Sequence, residues 1–265
     1  MPRPLSDAMF LCEAMADTIP LVRAEHRDAF QLAEDLNTFA NRQVFATTVT
    51  KTDLQQVMVS SLLPRLLTAF QGSILMAERG LSAELKLLTR KVLEVTFRIV
   101  VIAQDATIAE KYLKSDEINR KKYLNKLRLL QTVKHTPEEV KTIDQLHAEV
   151  SATIQTEQIK ELTLQWYAEK AGMLDFYNTA YAYLSESAHT NVRDLDALVE
   201  KDADGEPEAL RYGPDPEGMS DVLCTGIELV VMALEASSMA LPGFDNRGIE
   251  GMRSRMTTLF DQLTK

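Results

Sequence analysis

The hydrophobic positions of the chain recur mostly three and four residues apart, which is the spacing of one face of an α-helix. The clearest stripe lies in residues 83–113 and consists of Leu85, Leu88, Val92, Val95, Ile99 and Ile102. The opposite side of this segment is also apolar, through Leu87, Phe97 and Val101. Because helices that are apolar all round are usually central, the pattern predicts a long central helix over 83–113.

A second periodic stretch covers residues 173–199, and its polar members need partners. As a helix it places six residues on one face: Leu174, Tyr181, Ser185, Ala188, Val192 and Val199. His189 lies one turn beyond Ser185, at the edge of that face. Because a hydroxyl and an imidazole on an apolar stripe need hydrogen-bond partners, we expect this helix to pack antiparallel against 83–113.

The remaining segments follow the same helical pattern, so the fold class predicted is all-α. We expect one domain over 1–265, a helical bundle of about eight to ten helices. A mobile loop is expected over 201–219, and a C-terminal helical hairpin over 220–265. The clearest start signal is the Thr136-Pro137-Glu138-Glu139 capping box.

The amino-acid composition limits which binding partners and which cellular compartment we expect. The net charge of −10 repels nucleic acid and anionic lipid at long range, although it does not exclude a local basic patch. Cys12 and Cys224 lie too far apart in sequence to suggest a disulfide framework, and two buried thiols in a reducing compartment are the simplest interpretation. No run of about eighteen apolar residues indicates a membrane span, and no signal peptide is evident. We expect a cytoplasmic protein without membrane contact.

The candidate chemistry brings the two predicted central helices together. Arg90 and Glu94 are predicted to lie in a buried face, where ionised groups must be paired. In the functional interpretation, Arg90 holds an anion or a phosphate, His189 is a general acid or base, and Glu94 orients either of them. Ser185 completes the catalytic candidates, and the ligand-binding candidates are Tyr181, Glu186 and Asn191. In the structural interpretation, the same residues form a satisfied network that fixes helix register.

Three further patterns stay open as alternatives. Arg128 and His135, with six residues between them, match the signature of the HEPN ribonucleases, although a basic helix face with a turn histidine is the simpler explanation. Eight lysines and arginines in 111–134 could contact RNA or form a solvated face. Glu186-x-x-His189 is half of a di-iron motif, but the second copy is missing, so we expect no metal and no cofactor.

The polar residues of the two predicted helices also carry a resemblance. The motifs are Arg90-x-x-x-Glu94, followed by 108–112, and Phe176-Tyr177-x-x-x-Tyr181-x-x-x-Ser185-Glu186-x-x-His189. Over roughly 60–200 they resemble a family of uncharacterised, all-helical bacterial proteins that is known as a domain of unknown function. The resemblance implies Arg90, Glu94, Ser185 and His189 as the characteristic polar set. It also suggests a link to mobile elements, phage defence and HEPN-type bundles, although Arg and His lie on different helices here.

Two hypotheses of function follow. The first is a defence- or stress-linked factor that acts on RNA or a nucleotide, and the first guess for an enzyme is a metal-independent ribonuclease. It requires the cluster to line an open pocket. The second is a non-catalytic interaction or regulatory module with a protein partner, which a sealed cluster would favour. A homodimer is expected on base rates.

Overall fold

The fold is an assembly of α-helices with one small hairpin of strands, described here from a computed structural model. The structure describes residues 7–130, 135–189, 192–196 and 198–263, without the side chains of His189, Arg193 and Asp194. After a 3₁₀ turn at Met9–Leu11, the first six helices are α1 (Met15–Glu25), α2 (Arg27–Ala46), α3 (Leu54–Ala77), α4 (Ser82–Gln104), α5 (Thr107–Arg128) and α6 (Pro137–Thr156). The rest of the chain forms α7 (Leu164–Lys170), α8 (Leu174–Phe176), α9 (Ala182–Glu186), α10 (Val192–Asp196), β1 (Val199–Lys201), β2 (Pro207–Leu210), α11 (Met219–Ala240) and α12 (Asn246–Leu263). The all-α prediction is confirmed.

Helix α4 is central, as its all-round apolar pattern predicts. Its most extensive packing is against α3 and α11. The side chains that α4 buries include Leu85, Val92, Val95, Ile99 and Ile102. Because burying a Val, Leu or Ile side chain is worth about 1.5–3 kcal/mol, this three-helix contact dominates the core.

Helix α11 is the other strongly apolar element. Among the described residues it is the one helix long and apolar enough, by length and composition, to cross a membrane. However, 67% of that apolar window is buried inside the protein. This is the property of a core helix, and α11 fills that role against α4.

The predicted helix over 83–113 is too long, because the helical conformation is interrupted at Asp105. Helix α4 ends at Gln104, and Asp105 is extended. The Asp105 carboxylate accepts hydrogen bonds from the Thr107 backbone N–H and the Thr107 hydroxyl. These bonds satisfy donors at the start of α5, so a new helix begins at Thr107.

The predicted helix over 173–199 is also wrong in its regularity. α8 passes into a π-helical segment at Tyr177–Tyr181, then into α9 and a 3₁₀ turn at Ser187–His189. We call residues 174–189 the irregular helix. Beyond it come the short α10 and then β1, which pairs antiparallel with β2 inside the predicted loop.

The irregular helix does pack against α4, and its direction is antiparallel as predicted. Contacts from α4 to α7 and the irregular helix run in reverse chain order: Lys86 meets Tyr183, Arg90 meets Tyr181, and Arg98 meets Tyr167. The irregular helix therefore covers the polar side of α4, while α3 and α11 cover its apolar sides.

Helices α1 and α2 meet at His26. The His26 Nδ1 atom lies 2.7 Å from the Ser220 hydroxyl of α11, a contact that the local sequence does not encode. The expectation of two buried thiols holds for Cys224, whereas Cys12 is partly exposed.

Candidate functional site

The candidate site is built on a row of charged residues along α4. Lys86, Arg90, Glu94 and Arg98 follow one another at four-residue spacing, so they lie along one side of the helix. Their side chains are partly buried because α7 and the irregular helix pack over them. Each of the three cations of this row lies over a tyrosine ring supplied by the covering segment.

Arg90 has the most contacts of the row. Its Nε atom is 3.3 Å from Glu94 Oε1, and its Nη2 donates a hydrogen bond of 2.7 Å to the Tyr181 hydroxyl. The guanidinium carbon is also 4.7 Å from the centre of the Tyr181 ring. These contacts fix the direction of the guanidinium group. Since cation–π contacts at such sites contribute about 0.5–2 kcal/mol, Tyr181 is a substantial partner of Arg90.

The tyrosine that holds Arg90 lies in the π-helical segment. Tyr177 and Tyr181 stack with ring centres 5.1 Å apart and planes inclined by 10°. A π-helical turn inserts extra backbone into the helix and changes the direction in which its side chains point. Such turns are frequent at functional sites, so the irregularity coincides with the candidate site.

Arg98 marks the lower end of the row. It donates a hydrogen bond to the Glu94 carbonyl oxygen, and its guanidinium lies 5.4 Å from the Tyr167 ring centre. Tyr167 is buried, and Trp166 and Tyr112 pack edge-on against it. Burial raises the pKa of the Tyr167 phenol above its ordinary value, because the phenolate would be desolvated. The contact between Arg98 and Tyr167 therefore has a structural role, and the phenol is not a reactive group.

The remaining predicted site residues, on α9 and after it, have different surroundings. Ser185 donates its hydroxyl hydrogen to the Tyr181 backbone carbonyl, one turn back, instead of contacting Arg90. Glu186 is partly buried on α9. The backbone of His189 ends the 3₁₀ turn, whereas its side chain and all of Asn191 lie outside the described residues. The proximity of Arg90 to the His189 imidazole therefore stays a prediction.

The described side chains of the cluster are partly open to solvent. The Arg90 and Glu94 side chains retain 20% and 19% of their exposure, so the face that was predicted to be buried is only partly buried. Leu87, which was expected to bury the opposite side, is 39% exposed. Two cavities of about 610 and 630 Å³ lie elsewhere, beside Arg23 in α1 and beside Trp166 at the start of α7.

The alternative Arg128 and His135 pair is separated by other contacts. The Arg128 Nε atom is 2.9 Å from Asp144 Oδ1, and its Nη1 is 3.5 Å from His147 Nδ1. His135 lies 4.0 Å from Glu139, beside the capping box of α6. For metals, no group of three His, Cys, Asp or Glu side chains converges within the part of the chain described.

The sequence-based prediction missed Lys86, Arg98 and Tyr167. Their signal was present, because four charged residues at four-residue spacing on a helix form a row. Arg90 and Glu94 alone, as a pair four residues apart, do not reveal this row. The tyrosine partners could not be assigned to individual cations from spacing, since the π-helical segment and the break before α8 shift the register.

Comparison with known proteins places this arrangement in a family. A family model described as a family of unknown function (DUF5677) matches residues 56–207, which include α4, α7 and the irregular helix. No curated protein and no solved structure matches the chain.

Proposed function

We propose a function from the premise that the chain belongs to the DUF5677 family of unknown function: it binds a nucleotide or single-stranded RNA at the Arg90–Tyr181 cluster. The observation that carries this proposal is the Arg90 guanidinium, which is oriented by Glu94 and Tyr181 and is still partly exposed. A guanidinium in a fixed direction is suited to a phosphate, because its planar fork of donors matches the phosphate oxygens.

The tyrosines beside Arg90 favour a ligand that carries a base as well as a phosphate. Tyr177 and Tyr181 form a stacked pair, and Tyr183 beside Lys86 is 46% exposed. Aromatic side chains interleaved with cations are the usual surface for single-stranded nucleic acid, since each base stacks at about 1–3 kcal/mol. The net charge of the chain opposes this locally favourable surface, so we expect moderate affinity that falls as salt rises.

The proposal also extends to a catalytic activity and a biological role. If the protein cleaves RNA, Arg90 would stabilise the phosphorane charge that develops as the 2′-oxygen attacks phosphorus and the bond to the 5′-oxygen breaks. His189 would take the proton of the 2′-hydroxyl and return it to the leaving 5′-oxygen. The resemblance to proteins near mobile elements favours RNA as the substrate and a role in defence.

The second candidate is a non-catalytic interaction module, and the charge balance of the cluster favours it. Glu94 already neutralises Arg90, while Tyr181 covers one face of the guanidinium. A partly exposed ion pair of this kind is worth about 1 kcal/mol or less. In that case the row of cations and tyrosines would serve to hold α7 and the irregular helix on α4.

The test is binding of a labelled single-stranded RNA, measured by fluorescence anisotropy with AMP as competitor. We expect Arg90→Ala to raise the dissociation constant at least about tenfold, which corresponds to ~1.4 kcal/mol. Arg90→Lys should recover only part of the loss, since lysine lacks the planar fork. The matched control is Arg255→Ala, an exposed arginine of α12 that is paired with Asp35; it should leave binding unchanged.

Thermal unfolding of the same variants separates the two candidates. If the native protein binds neither RNA nor AMP, and Arg90→Ala lowers only the melting temperature, the interaction module is correct. Cleavage is followed on a denaturing gel in the presence of EDTA. A His189→Ala variant that cleaves RNA as fast as the native protein would overturn the catalytic part alone.

A further inference from the structure

Helices α5 and α6 form an antiparallel hairpin that projects from the rest of the fold. Helix α6 packs chiefly against α5, and Val150 is the residue that it buries. Beyond Ala109 in its first turn, α5 buries only Leu124. Ion pairs from Arg128 to Asp144 and from Lys114 to Glu157 connect the two helices. Most of the hairpin surface is therefore open to a partner.

One side of this hairpin carries apolar residues that the fold covers only in part. On α5 and its C-terminal end, Tyr123, Leu127 and Leu130 are four and three residues apart, so they form a stripe about 120° away from the side that meets α6. Tyr123 is 62% and Leu130 is 42% exposed. On α6, Ile143 and Leu146 are also three apart, and Leu146 is 37% exposed. We call these five residues the hairpin face.

The charges around the hairpin face are opposite on the two helices. Residues 120–128 of α5 carry five basic residues and no acidic one: Arg120, Lys121, Lys122, Lys126 and Arg128. Residues 137–149 of α6 carry four acidic residues against Lys141: Glu138, Glu139, Asp144 and Glu149. Within the described chain, Lys126 and Glu138 form no ion pair. Part of this complementarity is therefore available to another molecule.

We infer that the hairpin face binds a second copy of this chain. Two hairpins related by a two-fold axis would place the basic α5 of each copy on the acidic α6 of the other. The apolar residues would then meet at the centre of a four-helix arrangement. A surface that carries its own complement satisfies the condition for an isologous dimer. A surface of one charge would instead require a different partner. This interface is separate from the Arg90 cluster, so it goes beyond the proposed function.

The oligomeric state in solution tests this inference, by light scattering after size exclusion and by sedimentation equilibrium. We expect the native chain to be a dimer. Leu146→Glu should raise its dissociation constant at least about tenfold, because a carboxylate would be buried in the apolar centre. Leu146 is exposed in the single chain, so the variant should fold, and circular dichroism checks this. The matched control is Phe45→Glu, since Phe45 is 85% exposed at the end of α2.

A charge exchange tests the geometry of the dimer. Lys126→Glu and Glu138→Lys should each weaken it, and a chain carrying both substitutions should recover affinity. High salt should also weaken the native dimer. The inference is overturned if the native chain is a monomer at every concentration measured by light scattering and sedimentation equilibrium. It is also overturned if Leu146→Glu dimerises as the native chain does, or if Phe45→Glu dissociates the dimer equally.

Discussion

Glu228 is a carboxylate on the apolar core helix α11, and it shows how burial affects the pKa of an acidic side chain. It is partly buried, and burial raises its pKa above the ordinary value of 4.5, while the neighbouring Arg253 opposes the shift. The raised pKa means that the fold favours the protonated carboxyl. The stabilisation that comes from this protonated carboxyl is therefore complete at pH values below the pKa of Glu228 in the unfolded chain. It is lost as the pH rises through the pKa of Glu228 in the folded protein.

We expect Glu228→Gln to stabilise the protein at neutral pH, since it removes a charge that burial disfavours. The gain should be on the order of 1 kcal/mol or less, and it should vanish as pH falls below the pKa of the unfolded chain. Denaturant unfolding at a series of pH values measures this. Glu250→Gln, on the exposed side of α12, is the control. A loss of stability at neutral pH would show that Arg253 outweighs burial at this position.

At the same scale, the sequence predicted the polar residues better than their partners. It placed Arg90 opposite the segment that begins at 173, because charged residues among apolar ones must be paired. The observed partner is the Tyr181 hydroxyl and ring. Which tyrosine contacts Arg90 depends on side-chain direction, which the π-helical segment alters by part of a turn. Residue spacing alone does not contain that information.

Two glycines show how the same substitution should act in opposite directions in different elements. Gly226 lies inside α11, where an added Cβ would meet Phe70 at 3.5 Å, an ordinary contact distance. Gly80 ends the turn after α3 with φ of +67°, and its Cβ would lie 2.9 Å from the Asp215 backbone nitrogen. Alanine should therefore fit at the first position and strain the second.

We expect Gly226→Ala to raise the free energy of unfolding by about 0.5–1 kcal/mol, because alanine is the better helix former. Gly80→Ala should lower it by about 1 kcal/mol or more, since the left-handed backbone and the clash both oppose a side chain. Urea denaturation measures both variants, and each is the control for the other. Destabilisation by Gly226→Ala would mean that the ring of Phe70 cannot shift.

Element boundaries were predictable wherever a side chain caps its own helix in a familiar pattern. The capping box of α6, formed by Thr136 and Glu139, is confirmed. The break between α4 and α5 was missed because apolar residues continue across it, from Ile102 to Ile108. Asp105 was the available signal. The π-helical segment had none, since its stability depends on packing against α4.

For the whole molecule, the family match and the cooperative core have different boundaries. The family model covers residues 56–207, whereas the core depends on α11, which begins at Met219. The Thr96 hydroxyl of α4 donates to the Leu229 carbonyl of α11, and thirteen residues of α11 are buried. Removing α11 would expose the apolar side of α4 to water.

A fragment of residues 56–207 should therefore fail to fold as a unit, although it contains the whole family match. We expect reduced helicity by circular dichroism and no cooperative thermal transition, because the lost burial exceeds the net stability of a typical domain, about 5–15 kcal/mol. The control is the full chain, which should show one cooperative thermal transition under the same conditions. If the 56–207 fragment melted cooperatively, α4 would be stable without α11, and the family core would be an independent domain.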